Sequence, residues 1–253
     1  YRSVYQETGA DTPELLLSPG NIFGTPTVIM QQGGRVGELA GPQFTGQVEE
    51  GAPVFEDQNG DGVINLLPAL YGQPESDLVA LGNGLPSFDW GWMHRLQWKS
   101  WELRAMLRGA FGHSMANMHR LRYEPRPRLT GRSFYNLFRT ESTLEELDVR
   151  KFSSHYTERA DFVKLDHLQV AKVFNFRAGS RPYQLRLSLT ARNILLASRY
   201  SGVDPEPVLE DAGTTTNGGA LSPDQRNPLV AGVDRLDFYL PARQFVFGLS
   251  LSL

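Results

Sequence analysis

The sequence predicts an all-β protein of antiparallel strands, and three observations support this fold class. Several segments of roughly ten residues alternate between apolar and polar side chains, which is the period of a β-strand. The chain has 25 glycines and 16 prolines among its 253 residues, as expected where turns are frequent. Long polar stretches at 121–161 and 201–237 separate the alternating segments.

Four segments carry the alternation. They cover 88–98, 101–111, 183–192 and 245–253, and the pair Lys99-Ser100 between the first two is predicted to form a tight hairpin turn. In each segment large apolar residues occupy one face and small or polar residues the other. The predicted sheet therefore has one strongly apolar face.

Alternation alone fits two architectures, because the apolar face can point to a protein core in a soluble β-sandwich or to lipid in a transmembrane barrel. Arginine accompanies Glu or Asp on the polar faces, as in a wet lumen. Aromatic residues cluster at strand ends, at Trp90, Trp98, Trp101 and Phe111, as in an interfacial girdle. Trp90, Trp92, Trp98 and Trp101 could instead stack on sugars, but their place on alternating strands favours the girdle. Loops as long as 121–161 are uncommon in compact soluble domains and normal in membrane barrels. These features favour the barrel.

Composition excludes several classes of function. The net charge is −3 with basic and acidic residues mixed along the chain, so a nucleic-acid partner is not expected. Without cysteine the chain forms neither disulfides nor thiolate metal sites. It also lacks the motifs of serine hydrolases, zinc proteases and P-loop enzymes, which predicts a protein that is not an enzyme.

Six stretches resemble one family, in the order and spacing of that family. The strongest is 191–206, in which Asn193 and the run Tyr-Ser-Gly-Val-Asp-Pro-Glu match a family signature. The others are Gly-Ala-Pro-Val-Phe-Glu-Asp-Gln-Asn-Gly-Asp-Gly-Val-Ile-Asn at 51–65, Leu-Gly-Asn-Gly-Leu-Pro-Ser-Phe-Asp-Trp-Gly at 81–91, Phe-Gly-His-Ser-Met-Ala-Asn at 111–117, Ala-Asp-Phe-Val-Lys-Leu-Asp-His-Leu at 160–168 and the terminal strand at 239–253. Together they resemble SusC/RagA-type TonB-linked outer-membrane proteins, which are TonB-dependent receptors.

The resemblance implies an architecture for the whole chain, 1–253. It implies the C-terminal portion of an antiparallel transmembrane β-barrel of about 22 strands, of which this length holds roughly 7–9. The implied long extracellular segments are 33–87, 121–161 and 201–237. No plug domain is expected within these residues. Leu253 stands where the family usually ends in Phe.

The resemblance also implies a function. Such receptors import oligosaccharides or peptides across the outer membrane of a Gram-negative, Bacteroidetes-type cell. The implied partners are a SusD-like surface lipoprotein, the TonB complex through an N-terminal part absent here, the rest of the barrel chain and membrane lipid. Two alternatives stay open: a small passive outer-membrane barrel, and a soluble calcium-stabilised β-sandwich that binds glycans. The chain by itself is expected to be unstable, because an open wall would expose two strand edges.

One segment predicts a cation site. The run from Asp57 to Asn65 resembles the first nine positions of a calcium loop, with a glycine for the sharp turn. Pro68 stands where such loops have a bidentate acid, so an Asx-rich turn is the other interpretation. No other cofactor is expected. The candidate calcium ligands are Asp57, Asn59, Asp61, Val63 through its carbonyl, and Asn65.

Two further clusters of candidate site residues have simpler interpretations. A copper site at 113–119 would use His113, Met115, Met118 and His119, but the spacing is not diagnostic and the family resemblance favours a strand exit. The carboxylates Glu141, Glu145, Glu146 and Asp148 fit the solvated face of a short helix at 140–150 better than an acid–base pair.

Overall fold

A computed structural model describes residues 28–29, 34–67, 70–125, 152–206, 231–234 and 242–252. The chain divides into two compact units. The first comprises 1–86, 112–160 and 200–238, and the second comprises 87–111, 161–199 and 239–253. We call the second unit the wall sheet and the first the loop unit.

Twelve strands and one short helix are present in the described residues. The helix α1 is Met118–Tyr123, and a 3-10 turn covers Ser154–Tyr156. The strands are β1 Val28–Ile29, β2 Glu38–Pro42, β3 Phe44–Glu49, β4 Ala52–Phe55, β5 Leu78–Asn83, β6 Phe88–Trp98, β7 Trp101–Phe111, β8 Ser114–Ala116, β9 Thr157–Arg159, β10 Phe162–Ala178, β11 Arg181–Ser198 and β12 Gln244–Ser252.

The wall sheet has five antiparallel strands in the order β12-β11-β10-β7-β6. All four alternating segments of the sequence lie in it as strands. The described part of the sheet is open, with β6 and β12 at its edges, so the barrel is not closed within these residues. This confirms the predicted fold class of a partial antiparallel barrel wall.

Two tight hairpin turns lie at one end of the wall sheet. Lys99-Ser100 joins β6 to β7, as predicted, and Gly179-Ser180 joins β10 to β11. The first residue of each turn has positive φ, 57° for Lys99 and 67° for Gly179, which is a feature of type II′ turns. The longer connections, from β7 to β10 and from β11 to β12, leave from the opposite end. This asymmetry is that of membrane barrels, which have short periplasmic turns and long extracellular loops.

The strand register shifts once inside the wall sheet. Between Leu165 and His167 the pairing of β10 with both neighbours contains a bulge. On β11 the bulge places Asn193 at a φ of 52°, and its side-chain amide donates to the carbonyl of Ala242 at 3.3 Å. Asparagine tolerates this left-handed conformation better than most residues. The family-like Asn193 therefore stabilises the left-handed backbone conformation at the bulge.

The loop unit contains the shorter strands. β1, β2 and β5 form a three-stranded sheet, β3 and β4 a hairpin, and β8 pairs with β9. The β3–β4 turn has positive φ at both Glu50 and Gly51, the pattern of a type I′ turn. The largest core cluster consists of Val28, Leu39, Ala116, Met118, Leu121, Phe152, Tyr156 and Val233.

One close backbone approach holds the loop unit together. Gly84, from the family-like 81–91 stretch, lies against Ala231 and Gly232, and a Cβ at Gly84 would overlap their backbone atoms. Gly232 also has a φ of 83°. Only glycine fits here without displacement of the backbone.

The expected number of barrel strands was roughly 7–9, whereas the wall sheet of the described residues has five, and seven shorter strands lie in the loop unit. These shorter strands lie mainly at 28–55, 114–116 and 157–159, in stretches without clear alternation, where two to six residues suffice for a local pairing. The segments 33–87, 121–161 and 201–237 thus carry ordered structure where they are described. The helix predicted at 140–150 lies outside the described residues. No helix that is described is long and apolar enough to span a membrane.

Candidate functional site

The wall sheet has two chemically different faces. Strand register places nearly all its large apolar side chains on one side, which we call the apolar face; the opposite side is the polar face. The apolar face consists of Phe88, Trp90, Trp92, Leu96, Trp98, Trp101, Leu103, Leu107, Phe111, Val163, Leu165, Leu168, Val170, Phe174, Phe176, Tyr183, Leu185, Leu187, Leu189, Leu195, Phe245, Phe247, Leu249 and Leu251. His94 and Lys172 interrupt it, and the register also places Arg181 on this side at the end of β11.

Much of the apolar face is exposed. Phe247 is 69% exposed, Leu249 66% and Trp98 63%, and many of their neighbours on this face are similar. Burial of each such side chain is worth about 1.5–3 kcal/mol. A continuous exposed surface of this kind therefore requires an apolar environment, and hydrocarbon supplies one.

Aromatic residues border the apolar face at both ends. The turn end carries Trp98, Trp101, Phe174, Phe176 and Tyr183, with the rings of Phe176 and Tyr183 stacked at 5.6 Å. Aliphatic residues fill the middle. The far end carries Phe88, Trp90, Trp92, Phe111, Phe245 and Phe247.

The spacing of these two aromatic belts matches a membrane. The 11 residues of β6 reach from one belt to the other. They extend over roughly 33 Å, and a tilt of about 45° reduces this to roughly 24 Å across the membrane. The apolar band of outer-membrane barrels is about 25 Å tall. The predicted positions of Trp90, Trp98, Trp101 and Phe111 at or near strand ends are confirmed, and their role as a membrane girdle stays a prediction.

The polar face is held by ion pairs and hydrogen bonds between strands. Arg186 of β11 reaches Glu102 of β7 at 3.2 Å, and Arg104 reaches the same carboxylate at 3.7 Å. Gln169 of β10 donates to the hydroxyl of Thr190 at 2.8 Å. Three neighbouring strands are thereby linked on this face.

A second group on the polar face surrounds the bulge. The guanidinium of Arg108 pairs with the carboxylate of Asp166, and the amine of Lys164 lies 3.8 Å from the same carboxylate. Basic residues outnumber acidic ones on this face of the described strands. The basic ones are Arg95, Arg104, Arg108, Lys164, Arg177, Arg186 and Arg192, and the acidic ones are Asp89, Glu102 and Asp166.

The loop unit contains a charged cluster that joins three distant segments. Glu158 on β9 accepts hydrogen bonds from Arg120 of α1 at 2.7 Å, from the backbone N–H of Ser201 at 2.8 Å and from the Ser201 hydroxyl at 2.8 Å. Asn117, the N-cap of α1, donates to Glu158 at 3.2 Å and accepts from the N–H of Arg120. Glu124 accepts from Arg120 at 2.7 Å.

The charges in this cluster shift one another's ionisation. Burial alone raises the pKa of Glu158, but hydrogen bonds from Arg120 and Ser201 outweigh it and hold the pKa below the ordinary 4.5. For Glu124, burial is likewise outweighed by hydrogen bonds from His155 and Arg120, so its pKa is also lowered. Both carboxylates are thus anions at neutral pH.

A second polar junction uses the buried Asp234. Its carboxylate accepts from the hydroxyl of Tyr200 at 2.8 Å and from the N–H of Val203 at 3.2 Å, and His119 lies 3.4 Å away. Burial, and after it the charge of Asp234, raise the pKa of Tyr200. Asn117 of the family-like 111–117 stretch donates to the hydroxyl of Ser201, in the 191–206 stretch, at 3.1 Å, so these two stretches meet through a side-chain hydrogen bond. Arg120 and Glu158 lie outside strongly patterned sequence and were not predicted.

The predicted calcium loop is closed by its own hydrogen bonds. The two carboxylate oxygens of Asp57 accept from the N–H groups of Gly60 at 2.7 Å and Gly62 at 2.8 Å. The side-chain oxygen of Asn59 accepts from the N–H of Asp61, and Asp61 accepts from the N–H of Val63 at 2.7 Å. Hydrogen bonding by Gly62 is the main cause that lowers the pKa of Asp57.

The buried Asp77 anchors both ends of this loop. It accepts from the N–H of Gln58 at 2.7 Å and from that of Asn65 at 2.6 Å. The structure thus brings Asp57, Asn59 and Asp61 close together and uses Asn65 at the base of the loop. This is the geometry of an Asx-rich turn, and calcium binding stays a prediction.

The residues of the candidate copper cluster have separate partners in the structure. His113 donates from Nε2 to the carbonyl of Pro205 at 2.9 Å, and His119 faces Asp234. Met115 and Met118 pack in separate core clusters, so the four residues do not form a joint copper site. The carboxylates at 141–148 lie outside the described residues.

Comparisons with known proteins agree with these features. No protein-family model matches the chain. TonB-dependent receptor P39 of Formosa agariphila is 25% identical to it over 223 residues, which are 80% of this chain and 21% of that protein. TonB-dependent receptor P3 of the same organism is 19% identical over 212 residues, covering 75% of this chain and 20% of that protein. The chain thus spans about a fifth of these relatives.

Solved structures share the fold. The RagAB peptide importer in its open-open state has a TM-score of 0.54 and 20% identity over 85% of this chain and 22% of that one. The RagAB peptide transporter gives a TM-score of 0.54 and 18% identity over 84% and 22%. The resemblance of this chain to part of a SusC/RagA-type TonB-dependent receptor is therefore confirmed.

Proposed function

We propose that the chain forms part of the barrel wall of an outer-membrane active transporter that depends on TonB. The observation that carries the proposal is the wall sheet, which has an exposed apolar face between two aromatic belts and a charged face behind it. A lipid-facing and a lumen-facing surface on one sheet are what a transport barrel needs.

The topology supports an orientation in the membrane. Tight turns such as Lys99-Ser100 would face the periplasm, and the long connections that leave the opposite end of the wall strands would face the outside. The ion-paired clusters around Glu158 and Asp234 would then hold extracellular segments in a fixed shape. Surface loops positioned by a rigid scaffold are where recognition usually occurs.

The proposed substrates are peptides or oligosaccharides. The solved neighbours are described as a peptide importer and a peptide transporter, which supports peptides in particular. The proposed partners are a SusD-like surface lipoprotein at the extracellular loops, the TonB complex through an N-terminal part of the receptor, the rest of the barrel and membrane lipid. No catalytic step is proposed.

The exposed apolar face argues against a soluble glycan-binding sandwich. In a sandwich the apolar faces of two sheets pack about 10 Å apart and bury each other. Here Leu249 and Phe247 remain more than half exposed, although their strand lies in a five-stranded sheet. A passive barrel shares this face, so only transport measurements separate it from the proposal.

The test uses the whole receptor that carries this segment, in cells that produce it. We expect the receptor in the outer-membrane fraction, extractable only with detergent, and uptake of labelled peptides or oligosaccharides that stops when TonB is deleted. A matched strain without the receptor gives the background. Recovery in the soluble fraction would exclude the membrane role, and uptake that continues without TonB would favour the passive barrel. Co-purification of a SusD-like lipoprotein with the tagged receptor tests the partner.

A further inference from the structure

We propose that the turn end of the apolar face binds the phosphate of a phospholipid headgroup through Lys99 and Lys172. The inference rests on the proposed membrane-spanning role and adds a specific lipid site to it. Lys172 interrupts the apolar face of β10 between Val170 and Phe174, where an aliphatic residue would be expected.

The geometry brings the two lysines to the same end of the sheet. Lys172 lies directly opposite Trp101, the first residue after the turn that contains Lys99. The next residue, Val173, donates its N–H to the carbonyl of Ser100 at 2.8 Å, which fixes β10 against the turn. Two cations therefore flank one hairpin turn.

Aromatic rings hold both amines at the border of the apolar face. The Nζ of Lys172 lies 4.7 Å from the ring centre of Trp101 and 5.1 Å from that of Phe174. The Nζ of Lys99 lies 5.1 Å from the ring of Trp98. A lysine stem on apolar surface with its amine at the edge is the arrangement by which membrane proteins reach the headgroup layer.

Neither amine has a carboxylate partner among the residues that the structure describes. In the part of the chain that the structure describes, neither Lys99 nor Lys172 forms a salt bridge with a carboxylate, and the apolar face of the described strands carries no acidic residue. By contrast, Lys164 on the polar face lies 3.8 Å from Asp166. A buried or interfacial cation attracts an anion from its surroundings when the protein supplies none.

A phospholipid fits this site better than a free anion because the site offers both cationic and apolar contacts. The amines would bind the phosphate, and the adjacent rings and aliphatic side chains would contact the acyl chains. Trp98 is 63% exposed and Trp101 43% exposed, so both are available for such contact. Inorganic phosphate would contact only the amines. It is the alternative ligand, and the test distinguishes it from a phospholipid.

The test measures the lipids that the purified whole receptor retains. Wild-type receptor in mixed micelles is expected to prefer phosphatidylglycerol to phosphatidylcholine, and the double variant Lys99→Gln/Lys172→Gln to bind it about 10- to 30-fold more weakly. The matched control is Arg95→Gln/Arg192→Gln, which removes the same charge from the polar face and should keep the preference. Lys99→Arg/Lys172→Arg, which keeps the charge, should also keep it.

Three outcomes would overturn the site: equal lipid binding by the double variant and wild type, equal loss in the polar-face control, or full displacement of the lipid by millimolar inorganic phosphate. Brominated phosphatidylglycerol gives a second readout, since it should quench fluorescence from Trp98 and Trp101 less in the double variant. A receptor that stays in the outer membrane but shows no lipid preference refutes this inference alone. A receptor absent from the membrane refutes the proposed function.

Discussion

Glu158 and Arg120 lie 38 residues apart in the chain and form a 2.7 Å ion pair in the loop unit. Both side chains are largely buried, and Ser201 joins the pair from a third segment. A cluster of this kind fixes the relative positions of α1, β9 and the segment after β11. Its charge makes the loop unit sensitive to substitution and to acid.

We expect Glu158→Gln to destabilise the loop unit by about 2 kcal/mol, because it removes the charge and one of the two acceptor oxygens that take hydrogen bonds from Arg120, Asn117 and Ser201. The measurement is hydrogen exchange at the amide of Ser201, which donates to Glu158 in the native state. Glu49→Gln, at an exposed position of β3, is the control and should change stability by less than about 0.5 kcal/mol. Equal effects of the two substitutions would contradict the assigned role.

The two carboxylates of this cluster, Glu158 and Glu124, predict that the loop unit is sensitive to acid. The pKa values of Glu158 and Glu124 are lowered in the folded state, so their contribution to stability is complete above the ordinary 4.5 and is lost as the pH falls through the folded-state values. We expect protection at Ser201 to be constant near neutral pH and to decrease below about pH 4.5. Glu158→Gln should reduce the pH dependence of protection at Ser201. An unchanged dependence in this variant would contradict the role assigned to the Glu158 carboxylate.

Gly84→Ala tests the backbone contact with Ala231. The added methyl group would overlap backbone atoms that cannot move freely, so we expect destabilisation of about 3 kcal/mol. Gly91→Ala is the matched control, because a Cβ at Gly91 meets no atom within 4 Å. Thermal unfolding of the purified receptor compares the two, and tolerance of alanine at Gly84 would show that the contact is loose.

The left-handed backbone at position 193 predicts how well Asn, Gly and Val are tolerated there, at the bulge of β11. Glycine should be tolerated because it adopts a φ of 52° readily, whereas Val should cost about 1–2 kcal/mol because a β-branched residue is strained there. Urea unfolding of the detergent-solubilised receptor measures the difference. A valine variant as stable as the glycine variant would mean that the left-handed conformation is not maintained.

Leu249→Glu and Ser250→Glu place one charge on opposite faces of β12. On the apolar face the carboxylate would meet lipid, and we expect a loss on the order of 2 kcal/mol together with poorer barrel assembly. On the polar face Ser250 lies opposite Arg186, which would pair with the new carboxylate. Heat-modifiability on gels compares assembly, and equal behaviour of the two variants would refute the assignment of faces.

The calcium prediction is testable at the Asp57 loop. Because the carboxylates already accept backbone N–H groups and no acid occupies the twelfth position, we expect an affinity no tighter than about 10⁻⁴–10⁻³ M. Terbium luminescence should saturate in this range and be lost in Asp57→Asn/Asp61→Asn. Absence of a saturable signal would leave the loop as an Asx-rich turn held by Asp77.

The sequence by itself determined four of the five wall strands and the turn at Lys99-Ser100, because alternation with period 2 is a local property. The fifth strand, β10, was marked only at its start by the family-like stretch 160–168, because the bulge and Lys172 interrupt its alternation. It also marked Asn193 and Tyr200 through motif order. Only tertiary structure decided what those residues do: Asn193 meets the backbone at Ala242, and Tyr200 meets Asp234, through contacts between distant segments. The Arg120–Glu158 pair has no sequence signature, because a buried ion pair depends on which loops meet and not on spacing along the chain.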